Sequence, residues 1–521
     1  MFIFVKKEMI KNIPSRFFIS LLLLLFAITL FPFFIDVNSF SIDDYYRFFF
    51  KLETGKLLEN SIDSGRWFGA FIQNFIVKLT GISGFSPVFL AFVFLIIQWV
   101  FVSCLLVEQF ELDYKKWQTP LLISLCFIHV STTELLTFKV SVVNMAFSFV
   151  YLFAIGGWFL VKKFDYKFLI GSMLIMLTLA TYQSFINILL VLSFVGIILK
   201  LLNDVQKKES FNLRYFINNE YFIKLISILF AVIVYLLINK FLLLFFNVNF
   251  TSRAEFVAFN EIPERLKNLM QLYIKILSEG DYFLIPHFTK TLILICIVSA
   301  VLTISYFILS IKTVRPLVKI TSIIVTIIFL IVALLSSALT SSFLKEYWLM
   351  PRMFSGFGFF FMSVFIFLYK FSTNRHVLFI VSSFLCMIIF SFMSINHNVA
   401  NEQNYLNQLD RNKAIQIVNE LEKIKNYNKK RIYINQTSNC WYNHREYFRT
   451  GIGDLNLSAF CTSWSKYELL QYVSGEKYTR TSQAENEHLD SLYQAIPDTL
   501  KPRWPINGVL EVGDEVIAIY P

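Results

Sequence analysis

Between Phe17 and Ser394 the chain is a series of apolar runs, most of them close to the roughly 17–25 residues that a helix needs to cross a bilayer. Short loops in which Lys and Arg collect separate the runs. This pattern constrains the fold before anything else does. Backbone inside hydrocarbon must satisfy its own hydrogen bonds, and long uninterrupted runs do so as helices. The 521 residues include 60 Phe, and 16% are charged, against roughly 25% in soluble domains. With a mean hydropathy of +0.59, the chain has more apolar surface than a water-soluble core can hide. The sequence describes an α-helical polytopic membrane protein.

The net charge of +11 raises the question of nucleic acid, and its distribution answers it. From Asn401 to the end, 14 Lys and Arg stand against 15 Asp and Glu, so residues 1–400 carry +12. That excess sits in short loops on one side of the runs, the positive-inside arrangement and not a phosphate-reading face. The basic segment Met1 to Arg16 leads into a run without a small-residue cleavage site, which reads as a retained first helix.

The loop charges orient the runs. Phe17–Ile35 leads outward, and Pro87–Val107 returns to Lys115 and Lys116. Trp117–Thr133 and Val140–Val161 form a hairpin with Glu134 and Lys139 at its outer tip. Phe168–Leu199 has basic flanks on both sides and must cross twice, which leaves Thr181-Tyr182-Gln183-Ser184 recessed below the outer surface. Tyr221–Phe245, Thr291–Ile311, Leu317–Leu335, Met353–Tyr369 and Val377–Ser394 complete eleven expected crossings. Pro263 opens an amphipathic pattern with Leu266, Leu269, Met270, Tyr273, Ile274 and Leu277 on one face, expected to lie on the membrane. The expected division is a cytoplasmic tail over residues 1–16, a membrane domain over 17–396 with outer loops at 36–86 and 246–290, and a small extracytoplasmic α/β domain over 397–521. In that last domain Asn401–Lys425 and Ser465–Val473 read as helices, and Arg431–Asn435 and Glu515–Tyr520 as strands.

This orientation collects polar groups on the outer face: the adjacent carboxylates Asp43 and Asp44, then Arg47, Arg66, Glu134, Gln183, Lys345 and Arg352. Charged groups at a membrane boundary point to a site. Asp43–Glu53 has the pattern of a short helix ended by Gly55, with Arg47 one turn after Asp43, and Trp67–Leu79 reads as an interfacial helix with an aromatic anchor. A carboxylate can take the proton of an acceptor hydroxyl as that hydroxyl attacks a sugar's anomeric carbon. Arg can grip a departing phosphate through two N–H groups. Nucleotide donors are not expected outside a bacterial cytoplasm, so the donor would be a sugar carried on a membrane lipid phosphate. Against this stand plainer roles: the aspartates as helix caps, Arg47 as the partner of Asp43, and Arg66 and Arg352 as interface anchors beside Trp67 and Trp348.

The segment Ile42-Asp43-Asp44-Tyr45-Tyr46-Arg47 after the first run, with Gly65-Arg66-Trp67 closing the loop, resembles the serotype-converting O-antigen glucosyltransferases, part of the C-type glycosyltransferase superfamily. The Thr181-Tyr182-Gln183-Ser184 tip and the polar C-terminal domain fit the same layout. The resemblance implies transfer of glucose or a related hexose from a polyprenyl-phosphate donor to a lipid-linked polysaccharide acceptor. It places the reaction on the periplasmic face of a bacterial inner membrane. Asp43 and Asp44 would be catalytic, and Arg47, Arg66, Trp67, Glu134, Tyr182, Gln183, Lys345 and Arg352 would bind substrate. Cationic side chains can meet a donor that leaves as a lipid phosphate, so no metal or other cofactor is expected.

Other readings remain open from sequence. A polysaccharide polymerase or ligase uses the same lipid-linked substrates, and an O-acyltransferase wants a membrane-edge His, for which only His129 and His376 are placed. A flippase or transporter would show matched, broken halves, which the runs lack. Cys440 and Cys461 form a disulfide candidate if the C-terminal domain is outside the cytoplasm, while the other four cysteines lie in apolar runs.

Overall fold

The computed structural model describes residues 14–35, 40–41, 44–45, 62–80, 87–207, 219–249, 255, 257–278, 285–312, 314–345, 350–372, 374–435, 457–505 and 508–521. Helices form where the apolar runs lie. α1 (Arg16–Ile35) is followed by α2 (Trp67–Thr80) and α3 (Pro87–Gln109). Two bent pairs come next: α4 (Gln118–Ile128) with α5 (Val130–Thr137) at 52°, and α6 (Lys139–Phe147) with α7 (Val150–Leu160) at 41°. The bundle continues through α8 (Tyr166–Leu179), α9 (Ile186–Lys207), α10 (Glu220–Phe246), α11 (Ile262–Ser278) and α12 (His287–Ser310). It ends with α13 (Pro316–Ser336), the single turn α14 (Thr340–Phe343), α15 (Phe357–Phe371) and α16 (Arg375–Glu422).

These helices do not establish eleven crossings. Among the described residues seven are long and apolar enough to span a bilayer, or nine if each bent pair is one span. α8 and α15, with 14 and 15 residues, rise only about 21 and 22 Å against a hydrocarbon core of roughly 30 Å. Each adjoins a short 3₁₀ turn, Gln183–Phe185 after α8 and Pro351–Met353 before α15. Irregular backbone at membrane depth needs protein around it, and Thr181, Tyr182, Ser184 and Pro351 are all buried.

The expected hairpin tip is different in kind. Glu134 and Lys139 are not on a solvated turn: every residue of α5 is buried, and Lys139 opens α6 in the protein interior. His129 breaks the run with extended backbone, and its side chain accepts from the Ser131 N–H to cap α5. Gly358 makes room for it, since a Cβ there would sit 2.1 Å from the imidazole.

α11 also departs from expectation. Leu269, Leu272, Tyr273 and Ile276 face the protein, while Met270 and Ile274 are exposed on another side. The helix therefore packs on the bundle as well as presenting an apolar face outward.

The last crossing and the helix expected at Asn401–Lys425 are one helix of 48 residues, about 72 Å long. No Pro or Gly in 395–400 stops it, so residue 397, taken as the domain boundary, lies in mid-helix. The C-terminal unit adds α17 (Lys466–Ser474), α18 (Gln483–Ala495) and a four-stranded sheet. Its strands are β1 (Arg431–Ile434), β2 (Thr479–Arg480), β3 (Val509–Val512) and β4 (Val516–Ile519), in the order β2-β1-β4-β3. β1 runs parallel to β2 and β4, and β3 is antiparallel to β4. The core beneath the sheet gathers Ile417, Leu421, Ile432, Phe460 and Ile517, together with Phe40 and Tyr45 from the first loop. The described stem of that loop is thus built into the C-terminal unit.

Candidate functional site

The site is organised around the break between α5 and α6. Phe138 is extended there and offers no side-chain cap to α6. Asp44 supplies one from nearly a hundred residues away: its carboxylate accepts from the N–H groups of Lys139 at 3.2 Å and Val140 at 3.0 Å. It also accepts from the Ser41 N–H at 2.9 Å, and the Asp44 N–H donates to the Ser41 hydroxyl at 3.3 Å. An anion suits the positive end of a helix dipole, which explains a carboxylate that is completely buried. Burial still pushes its carboxyl above the usual range, opposed by the Val140 and Ser41 N–H groups, the Ser41 hydroxyl and the Lys139 charge.

α16 holds the same loop from the other side. The Asn407 side chain accepts from the Phe40 N–H at 2.8 Å and from the Tyr45 hydroxyl at 2.9 Å, and donates to the Phe40 carbonyl at 2.9 Å. Gln403 donates to that carbonyl at 2.7 Å. The Phe40 ring lies 5.4 Å from the Lys139 ammonium and 5.5 Å from the Arg411 guanidinium.

On the α5 side, Glu134 accepts from the Arg352 backbone N–H at 2.7 Å and from its guanidinium at 2.8 Å. That guanidinium lies 4.8 Å over the Phe138 ring. Glu134, Arg352, Phe138, Lys139 and Asp44 therefore form one continuous chain of contacts through the helix break.

A second group surrounds the closing turn of the loop. The Arg66 guanidinium lies 5.0 Å over the Tyr182 ring and is exposed. The Gln183 amide donates to the Ser64 carbonyl at 2.8 Å and the Tyr235 hydroxyl at 3.1 Å, and Tyr235 donates to the Gly65 carbonyl at 3.2 Å. Gly65 is left-handed at φ +73°, and a Cβ there would lie 2.2 Å from the Tyr235 oxygen. Trp67 begins α2 half-buried, with its indole N–H lacking a hydrogen-bond partner among the described residues. The two groups meet through their turns: Ser355 donates to the Ser184 carbonyl at 2.6 Å, and Asn187 to the Met353 carbonyl at 2.9 Å.

Of the residues expected at the site, Asp44, Glu134 and Arg352 thus share one group, and Arg66, Tyr182 and Gln183 the adjoining one. Lys345 is elsewhere, paired with Glu255 at 2.5 Å on a separate groove. Asp43, Arg47, Trp348 and most of the Asp43–Glu53 helix lie outside the described residues, as does Cys440, while Cys461 is disulfide-bonded. Among the described residues no three His, Cys, Asp or Glu side chains gather into a metal-holding cluster. Sequence reasoning missed Tyr235, Asn239, Gln403 and Asn407. All are polar groups buried in helices at i, i+4 spacing, a pattern that was there to be read.

The glucosyl transferase GtrII family matches the chain over residues 32–369, a stretch that holds both groups and both loop aspartates. The chain belongs to this family. No curated protein and no solved structure matches it. Membership in GtrII makes the protein a glycosyltransferase with several apolar helices of membrane-spanning character. The matched stretch of this GtrII chain ends within α15, so α16 and the sheet unit lie beyond it.

Proposed function

We propose that this GtrII-family protein moves a hexose, most simply glucose, from a polyprenyl-phosphate donor to a hydroxyl of a lipid-linked polysaccharide. The reaction is assigned to the periplasmic face of a bacterial inner membrane. The observation that carries this reading is the Asp44 anchor, which ties the acidic loop to the helix break beside Arg352. Asp44 spends its carboxylate on three backbone N–H groups and acts as the positioning residue. Asp43, its neighbour in sequence, is the general base.

In the reaction Asp43 takes the proton of the acceptor hydroxyl, and the hydroxyl oxygen bonds to the anomeric carbon. The bond from that carbon to the phosphate oxygen breaks, and its electron pair leaves with the lipid phosphate. Arg66, exposed over Tyr182, and Arg352, held by Glu134, meet the charge that builds on that phosphate, with arginine in place of a metal ion. Gln183 and Trp67 line the sugar side.

The test is turnover of a polyprenyl-phosphate hexose by separate Asp43→Asn and Asp44→Asn proteins, with mass analysis of the acceptor. Asp43→Asn should lose about 10²–10⁴-fold in rate with its melting temperature intact. Asp44→Asn should lower the melting temperature as well. Full activity in Asp43→Asn would sink the assignment of the base.

A further inference from the structure

α10 presents three different faces. Tyr235 and Asn239, one turn apart and buried, point toward the Arg66 turn: Tyr235 donates to the Gly65 carbonyl, and a Cβ on Gly65 would lie 3.4 Å from the Asn239 amide nitrogen. Leu237, Phe241 and Phe245 are 64–71% exposed on an apolar surface suited to lipid. Between those faces, Leu236, Lys240, Leu243 and Leu244 form one wall of a groove of about 790 Å³. The opposite wall carries Glu255, Val257, Glu261 and Lys345. Leu244 is 74% exposed as well as groove-lining, so the groove opens sideways onto the apolar surface of the bundle.

The four charged side chains lining this groove, Lys240, Lys345, Glu255 and Glu261, sum to zero, and Arg265 beside it adds one positive charge. Glu255 is taken by Lys345 at 2.5 Å, and Glu261 faces Arg265 at 3.5 Å. Lys240 has no hydrogen-bond or ion-pair partner among the described residues, and it sits six positions before the end of a membrane-spanning helix. A lysine near a helix end can simply reach for the interface. Here it lies instead in a groove whose volume falls within the roughly 300–1,000 Å³ of ligand sites. A mainly apolar helix wall, a lateral opening and a lysine without an ion-pair partner among the described residues match one kind of molecule, a single anionic phosphate on a long hydrocarbon chain.

We infer that this groove admits the donor lipid, with the hydrocarbon chain along Leu236, Leu243 and Leu244 and the phosphate on Lys240. The neighbouring face of the same helix touches the Arg66 turn, which sets the groove beside the proposed reaction site. The inference rests on the reading that the donor is a lipid-phosphate sugar.

Full-length protein in lipid nanodiscs tests it with polyprenyl-phosphate glucose as the varied substrate. Lys240→Met should raise KM for the donor by about tenfold or more, the loss of one hydrogen bond to a charged group, and Leu244→Trp, which narrows the lateral opening with a larger ring, should raise it too, each with kcat within about twofold. Leu237→Trp, on the exposed face of the same helix, should change neither. Unchanged KM in active Lys240→Met and Leu244→Trp proteins overturns the groove and leaves the proposed reaction standing. If the wild-type protein turns over no lipid-phosphate sugar, the proposed reaction fails, and a photoreactive polyprenyl phosphate decides the groove on its own. Labelling of 236–248 that excess polyprenyl phosphate removes and phosphatidylglycerol does not supports the groove. Labelling that both lipids remove equally identifies ordinary surrounding lipid and overturns it.

Discussion

Glu134 holds Arg352 at two points, its backbone N–H and its guanidinium, inside a protein wall where the carboxylate has no exposure at all. The contact fixes the turn Pro351–Met353 as much as it neutralises a charge. Removing one member of such a pair leaves the other buried and uncompensated, at a cost of about 3–5 kcal/mol. Glu134→Ala should therefore lower the melting temperature of the detergent-solubilised protein sharply. Glu134→Gln, which keeps an acceptor for the backbone N–H, should lose less. Arg352→Lys should fold, since that backbone contact survives, but turn over slowly because an ammonium cannot reproduce the fork. Equal melting temperatures for Glu134→Ala and the wild type would contradict the burial of this pair.

Gly65 and Tyr235 make a second, independent prediction. Gly65→Ala meets two penalties: left-handed backbone, about 1–2 kcal/mol for an L-residue, and a Cβ 2.2 Å from the Tyr235 oxygen. Tyr235→Phe removes only the second obstacle. The double variant should thus be more stable than the two single losses added together, with a coupling of about 0.5–3 kcal/mol in a double-mutant cycle. Simple additivity would mean that the turn does not rest on Tyr235.

How far the sequence foretells this arrangement depends on what a linear pattern can carry. Apolar runs placed nearly every bundle helix, because a span is a local property of composition. The count of crossings was not readable in the same way: α8 and α15 are completed by turns whose burial depends on neighbours remote in sequence. Glu134 and Arg352 were both picked out as charged groups near a boundary, yet nothing in their spacing of 218 residues announced a pair. Asp44 was legible as an acid fit for a helix N-terminus, but the helix it caps begins at Lys139 and not in its own loop. α18 was missed although Ser482-Gln483-Ala484-Glu485 spells a capping box, a signal that was present and passed over. The short strands β2 and β3, two and four residues long, are made by pairing and leave almost no local trace.

Asn407 binds the first loop to the last long helix with its hydrogen-bonding capacity filled: it also donates to the Gln403 carbonyl at 2.8 Å. Asn407→Leu keeps the volume and leaves the Phe40 N–H unanswered in a buried place, at about 1–3 kcal/mol. Faster amide exchange at Phe40 and Ser41 and a fall in turnover should appear together, with α3 and α9 protected as before. Loss of exchange protection throughout the bundle would show instead that Asn407 supports the whole fold.

Lys466 gives the pH dependence. Its ammonium is buried against the Ile434 carbonyl at the end of β1, and burial lowers it to about 8, with the Arg480 charge adding to the effect and Asp490 opposing it. Glu468, also buried there, faces Arg480 and is shifted upward by its own burial. The sign for Lys466 follows from proton counts. Its unfolded value is 10.5, so between about pH 8 and 10.5 the unfolded chain holds a proton that the folded one has released. Stability of the C-terminal unit must then rise with pH across that window, and below it the folded state bears the whole penalty of a buried charge. Lys466→Met, which keeps the stem and drops the charge, should melt higher than the wild type at pH 7, by up to roughly 3 kcal/mol at 1.36 kcal/mol per unit. The advantage should shrink toward pH 10.5, because the wild-type lysine is by then largely neutral when folded. Melting curves of both proteins at pH 7, 8, 9 and 10 measure that difference directly, and titrations common to the two cancel. A difference that stays flat with pH would mean that Lys466 keeps its proton throughout and that its contact with Ile434 outweighs its burial.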